Sequence, residues 1–228
     1  VDGAPAGIIR PVLDTGVFPF KDDEASMTVD ELDATQNASI NYASLEDDPE
    51  APTLISEMCD PAKGWVKVFA TVDAAKCYLK GIDPIISQMG LVVKTKLDDK
   101  GATVSIKKRL ILDCRRSLVN PCAQAAQRIT LPRILDAVDD GLKARRTLLD
   151  DMKRSFAQVE LEHLVADFAD AYWMMPLHPD ERPYQVAQFR GKVIVFMRTG
   201  QGTKASSLTW GTFSAAMGRL AQSLFPSQ

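Results

Sequence analysis

Two extended segments joined by a turn constrain the fold of this chain most strongly. Residues 91–96 and 104–114 have the composition of strands, and the DDKG turn at residues 98–101 lies between them. An apolar run at residues 110–112 is embedded in lysine and arginine. The sequence therefore predicts an antiparallel β-hairpin that carries cations on alternate positions of its strands.

Periodicity and turn residues predict the remaining elements. They are, in chain order, helices over 62–80 and from Pro132 to about 142, a helical insertion over 143–160, and a strand over 161–168 with a helical turn to 173. Strands over 184–189 and 192–198 follow, joined at Arg190 and Gly191 as a second hairpin, and then a helix over 206–225. Strands interleaved with helices predict an α+β fold.

Residues 1–60 differ in composition from the rest of the chain. Twelve acidic side chains lie between residues 21 and 60, against the single cation Lys21. Weak periodicity and many Pro, Ser, Ala and Asn residues predict a largely irregular or disordered segment, or a linker. We expect the ordered domain to span residues 61–228.

The middle of the chain is basic, although the net charge is −3. Residues 94–133 contain ten cations and three acids. A localised basic segment in an acidic protein indicates a surface for a polyanion, such as a triphosphate or a nucleic-acid backbone. The alternative is a solvated face of solubilising charges. We expect Asp113 to hold Arg109 or Arg115 in place.

The cysteines and the hydropathy exclude two classes of protein. Cys59, Cys77, Cys114 and Cys122 form no C-x-x-C pair, and neither histidine lies at zinc spacing from them. This predicts reduced thiols in an intracellular protein rather than a zinc site. No apolar run approaches the roughly 18 residues of a membrane span, so we expect no membrane partner.

Asp167 follows an apolar segment, and Asp170 comes three residues later. A carboxylate at a strand end is well placed to bind Mg²⁺, which takes one or two carboxylates plus substrate phosphates. A turn position for Asp167 or a helix cap for Asp170 explains the local pattern equally well. A second candidate is the TGQGTK loop at residues 199–204, whose glycines allow the backbone to approach a ligand; a simple connecting loop is the alternative. Its sequence is not that of a P-loop.

Three blocks of sequence, in this order, resemble reverse transcriptases of retroelements, and in particular those of long-terminal-repeat retrotransposons. Residues 108–115 (KRLILDCR) with Asn120 are similar to the fingers motif, and residues 131–134 (LPRI) are similar to the P-L-P-R-I element. Residues 167–182 (DFADAYWMMPLHPDER) are close to D-x-x-D-A-[FY]-x-x-[IV]-P-L-H-P-x-[DES]-R. Gln201 and Gly202, before Ser206, resemble the next motif more loosely. The resemblance covers roughly residues 63–225.

The resemblance implies the fingers and part of the palm of a right-hand polymerase, with a role for each matching residue. Asp167 would be catalytic, and Asp167 and Phe168 would form the metal position of a site for two Mg²⁺ ions. The implied nucleotide-site residues are Arg109 on the triphosphate, Lys94 or Lys96 on its far end, Asp170 and Ala171 along it, Tyr172 as the gate that excludes a 2′-hydroxyl, and Gln201 and Gly202 over the nucleotide and template. The implied partners are a dNTP and a primer on an RNA or DNA template.

Three departures from the family pattern limit what this chain is expected to do. No Y-x-D-D motif follows Phe225 in this sequence, so we expect that this chain alone does not polymerise nucleotides. Ser207 stands where the family usually has proline, and the segment before Asp167 is long. Besides the polymerase, two alternatives remain: a retroelement relic that binds nucleic acid without catalysis, and an unrelated α+β interaction domain with an acidic head.

Overall fold

The computed structural model describes residues 2–13, 25–32, 40–125, 134–152 and 168–223. The chain divides into two compact units, one formed by residues 1–128 and 170–228 and the other by residues 129–169. Within the described ranges, the strands belong to the first unit and pair in antiparallel sheets, one of three strands and one of two. This mixture of helices and antiparallel sheets is compatible with the predicted α+β class.

The elements have the following bounds. The helices are α1 (Ala43–Glu46), α2 (Ala51–Met58), α3 (Val72–Tyr78), α4 (Val119–Cys122), α5 (Ile134–Met152) and α6 (Ser206–Ser223). The strands are β1 (Val66–Phe69), β2 (Gln88–Leu97), β3 (Thr103–Asp113), β4 (Val186–Phe189) and β5 (Lys192–Phe196). Short 3-10 helices span Val29–Glu31, Ala171–Met174 and Pro179–Tyr184.

Both predicted hairpins are confirmed. In the two-stranded sheet, β2 pairs with β3 along its whole length, and Asp98 accepts the N–H groups of the turn that joins them. In the three-stranded sheet, of order β1-β5-β4, the turn between β4 and β5 lies at Arg190 and Gly191. Both residues have positive φ (47° and 75°). A two-residue turn with positive φ at both positions matches the twist of the strands that it joins.

The single helix predicted over residues 62–80 is wrong. Residues 66–69 instead form β1, which pairs with β5 from Val66 opposite Phe196 to Phe69 opposite Val193. The helix begins only after Thr71, whose side-chain oxygen accepts the N–H of Ala74 at 3.2 Å as an N-terminal cap. Helical spacing of aromatic and β-branched residues did not reveal a strand, because its partner lies more than 120 residues away along the chain.

Part of the acidic segment, predicted to be irregular, is folded into the main core. Helices α1 and α2 bury Leu45, Ile55 and Met58 against residues of both sheets. Residue 60 is therefore not the start of order, although residues 14–24 and 33–39 lie outside the described ones.

Residues 2–13 are held by the buried carboxylate of Glu181. This carboxylate accepts the backbone N–H groups of Ile9 at 3.3 Å and Arg10 at 2.8 Å. Burial raises the pKa of Glu181, and these hydrogen bonds oppose the rise. The Arg10 guanidinium also pairs with Asp180 at 2.7 Å. The last residues of the motif at 167–182 therefore serve in part as the docking site of residues 2–13.

In the second unit, α5 spans the predicted helix and the first part of the predicted insertion. An i,i+4 ion pair joins Lys143 to Asp139 at 2.6 Å on its surface. The strand predicted over residues 161–168 lies outside the described residues up to position 167.

Candidate nucleotide site

The β2–β3 hairpin gathers four cations on one face. Opposed residues of an antiparallel pair point to the same side of the sheet, and the register places Val92 opposite Arg109, Lys94 opposite Lys107 and Lys96 opposite Ser105. Lys94, Lys96, Lys107 and Arg109 therefore form one surface, the cationic face, and all four are exposed. The structure thus brings together the three hairpin residues predicted from the resemblance and adds Lys107.

The opposite face of the hairpin is different, because its lysine is neutralised. Lys108 pairs with Asp48 at 2.7 Å and with Glu50 at 3.0 Å. The hydrogen bond to Asp48, and then that to Glu50, raises the pKa of Lys108, and the same lysine lowers the pKa of Asp48. Within the described ranges, no residue of the cationic face forms an ion pair.

This contrast predicts different effects for two neighbouring lysines. Lys107→Gln is expected to weaken binding of a single-stranded oligonucleotide and to lower the slope of log K against log salt by about 0.7, the value for one lost phosphate contact. Lys108→Gln removes the same charge from the other face and should leave the slope unchanged. Fluorescence anisotropy across a salt series measures both. Equal slopes for the two variants would contradict a phosphate-binding role for the cationic face.

Asp113, at the end of β3, was predicted to hold Arg109 or Arg115, but among the described residues it makes no ion pair with either side chain. Its carboxylate accepts the backbone N–H groups of Arg115 at 3.0 Å and Arg116 at 2.9 Å, and the Tyr42 hydroxyl donates to it. Burial alone would raise the pKa of Asp113, but these hydrogen bonds together lower it. Asp113 thus fixes the turn after β3, and Tyr42, which no sequence signal singled out, ties the acidic segment to it.

The loop that carries Gln201 and Gly202 lies against the end of β3. The N–H of Leu112 donates to the carbonyl oxygen of Gln201 at 3.1 Å. Gly202 has φ 118°, and a Cβ at this position would overlap the carbonyl oxygen of Leu112. Because only glycine fits both the backbone angle and the contact, the close approach at Gly202 is to the strand carrying Arg109, not to a ligand as the sequence suggested.

Tyr172 lies beside the same loop. Its carbonyl oxygen accepts the hydroxyl of buried Thr199 at 2.8 Å, and the N–H of Thr199 donates to Met175 at 3.0 Å. The Tyr172 ring is half-buried, with its centroid 6.4 Å from that of Trp210 in α6. These contacts hold the predicted gate residue against Thr199, which lies two positions before Gln201 in the loop.

Asp170 and Ala171 begin the 3-10 helix that contains Tyr172. Asp170 is exposed and has a left-handed backbone, with φ 54°. Its carbonyl oxygen accepts the N–H of Trp173 at 2.7 Å, but its carboxylate makes no capping hydrogen bond. The side chain of Asp170 therefore does not cap the helix as the alternative predicted, and the backbone turns in the left-handed region at this residue.

Of the two residues predicted at the metal position, the structure describes only Phe168. Asp167 lies outside the described residues, and half-buried Phe168 belongs to the second unit. Elsewhere in the described chain no group of three or more His, Cys, Asp or Glu side chains can hold a metal ion. Since Mg²⁺ needs only one or two carboxylates beside substrate phosphates, Asp167 and Phe168 remain the prediction. The four thiols are free, and burial raises the pKa of Cys114 to about 12.

No family model, curated protein or solved structure matches the chain. None of the helices described is long and apolar enough to cross a membrane. The residues themselves therefore define the site: a cationic hairpin face, a glycine loop bonded to the same hairpin, and an aromatic residue held beside that loop.

Proposed function

We propose that this chain is the fingers and the first part of the palm of an RNA-directed DNA polymerase of a retroelement. The observation that supports this most is that three motifs far apart in sequence are joined by direct contacts. Leu112 of the hairpin bonds to Gln201, and Thr199 of the same loop bonds to Tyr172. A surface of solubilising charge would not require a glycine loop and an aromatic residue at its base.

Each of these residues would have a distinct task in nucleotide binding. Arg109 would form paired hydrogen bonds with the triphosphate, and Lys94 or Lys96 would neutralise its far end. Asp170 and Ala171 would line the phosphates largely through their backbone. Tyr172 would stack under the sugar and exclude a 2′-hydroxyl, while Gln201 and Gly202 would cover the nucleotide and template. These residues would position the charged phosphates and exclude a 2′-hydroxyl. Catalysis of phosphoryl transfer depends mainly on such positioning and on electrostatic stabilisation.

Asp167 and Phe168 would hold the Mg²⁺ ions at the reacting end of the triphosphate. Bound there, Mg²⁺ would supply neutralisation of the charge that develops during transfer. The protein would bind the primer and template through their backbone phosphates, so its affinity for them would not depend on the nucleotide sequence. The alternative, a relic that binds nucleic acid without catalysis, would need the cationic face but no metal site.

Nucleotide binding by the chain tests the proposal. The wild-type chain should bind dTTP with Mg²⁺ in isothermal titration calorimetry, and Arg109→Ala should weaken the affinity about tenfold to a hundredfold, because a charge-assisted hydrogen bond contributes about 1.5–3 kcal/mol. Lys108→Ala, next to Arg109 but on the neutralised face, is the control and should bind dTTP as the wild type does. A wild-type chain that binds no dTTP, or an Arg109 variant that binds it equally well, would contradict the proposal.

A further inference from the structure

Asn120 lies where the glycine loop meets the end of β3. It belongs to α4, and its backbone N–H donates to the carbonyl oxygen of Cys114 at 2.8 Å. Leu118, two residues earlier, has a left-handed backbone with φ 62°, which turns the chain back toward the strand. The backbone of Asn120 is therefore anchored to the same strand end that Asp113 fixes.

The side chain of Asn120 makes two hydrogen bonds to the loop, on either side of residue 203. Its Nδ2 donates to the carbonyl oxygen of Gly202 at 2.9 Å, and its Oδ1 accepts the N–H of Lys204 at 2.8 Å. A carbonyl only accepts and an N–H only donates, so the two partners define the orientation of the amide. The side chain pairs with the loop as a neighbouring backbone would.

We infer that Asn120 is a positioning residue that sets the loop of residues 200–204 for nucleotide binding. The inference rests on the proposed function. The bond from Leu112 holds the loop at Gln201, before the glycine, and Asn120 holds it after the glycine. Since glycine has the most backbone freedom to lose, bonds on both sides of Gly202 pre-organise the segment that covers the nucleotide.

Two substitutions test this role. Asn120→Ala removes both hydrogen bonds, while Asn120→Asp keeps the acceptor for Lys204 but turns a second oxygen toward the carbonyl of Gly202. Each variant should bind dTTP with Mg²⁺ about tenfold more weakly than the wild type, as expected for the loss of one or two hydrogen bonds. Gln124→Ala, an exposed side chain shortly after α4, is the matched control and should bind dTTP normally.

A second ligand separates positioning from a general loss of structure. Inorganic tripolyphosphate carries the charge that Arg109 would bind, but it has no sugar or base for the loop to cover. The Asn120 variants should bind tripolyphosphate as the wild type does, whereas Arg109→Ala should weaken both ligands. Hydrogen exchange should also become faster at the amide of Leu112 in both Asn120 variants and at the amide of Lys204 in Asn120→Ala, with the melting temperature checked alongside.

The possible outcomes are distinguishable. Failure of the wild-type chain to bind dTTP contradicts the proposed function. A wild type that binds dTTP and Asn120 variants that bind it equally well overturn the inference alone, whatever the exchange rates show. Equal loss of dTTP and tripolyphosphate binding would also overturn it, because that result describes a residue needed for the fold of the hairpin rather than for the place of the loop.

Discussion

Asp167→Asn should reduce primer extension on an RNA template by about a hundredfold to a thousandfold, the loss typical of one electrostatic group in an active site. The substitution keeps the size of the side chain but removes the negative charge that would hold Mg²⁺. The measurement is incorporation of dTTP on poly(rA) with an oligo(dT) primer. It uses this chain continued through the Y-x-D-D segment that the proposed polymerase requires.

Asp170→Asn is the matched comparison for that experiment. It makes the same chemical change three residues away, at a position proposed to act largely through its backbone, so its loss should be much smaller. Unchanged extension in Asp167→Asn would remove Asp167 from the metal site. A parent polypeptide that binds primer and template but extends nothing would instead favour the relic that binds without catalysis.

Gly202→Ala is expected to lower the free energy of unfolding by about 2–4 kcal/mol, within the range of strongly destabilising substitutions. Two costs combine at this position: a left-handed backbone with φ 118°, and an overlap of the new Cβ with the carbonyl oxygen of Leu112. A backbone atom cannot move aside as the end of a flexible side chain can. Urea denaturation measures the change, and dTTP binding should be lost with the loop.

Gly101→Ala, in the turn between β2 and β3, separates the two costs. Gly101 also has positive φ, at 79°, but no atom lies within 4 Å of a Cβ built there. Its substitution should cost only the backbone strain, about 1 kcal/mol. If Gly202→Ala destabilises the chain no more than Gly101→Ala does, the loop is not packed against Leu112.

The elements predicted correctly are those whose evidence is local. The β2–β3 hairpin follows from two extended runs around DDKG, and the β4–β5 hairpin follows from two runs around Arg190 and Gly191. In both, the turn residues and the strands that they join are neighbours in sequence. By contrast, β1 is a strand because it pairs with β5, and the spacing of residues within 62–80 gives no information about that distant partner.

The acidic segment shows a different kind of failure, because composition outweighed a pattern that was present. Ala51, Ile55 and Met58 are spaced i, i+4, i+7, and all three are buried on one side of α2. That spacing is the signal of an amphipathic helix, and it could have been found. The role of Tyr42 could not have been predicted, because its hydroxyl contacts a residue 71 positions away, Asp113, and such a contact leaves no local sequence pattern.

Within the candidate site, the sequence indicated which residues matter better than how they are held. Arg109, Lys94 and Lys96 were predicted individually, but only the register shows that Lys107 shares their face and that Lys108 does not. Likewise, Asn120 was part of the resemblance to the fingers motif, whereas its two bonds to the loop depend on a contact between residues more than 80 positions apart.

The hold of Glu181 on the first residues also orders events during synthesis. Ile9 and Glu181 are 172 positions apart, so residues 2–13 leave the ribosome long before their docking site exists. At translation rates of about 5–20 residues per second the wait is on the order of ten to thirty seconds. Contacts of such sequence separation also form slowly once the chain is complete. Residues 2–13, made well before Glu181, therefore reach their native place only after it has been synthesised, and until then the Glu181 carboxylate must remain hydrated.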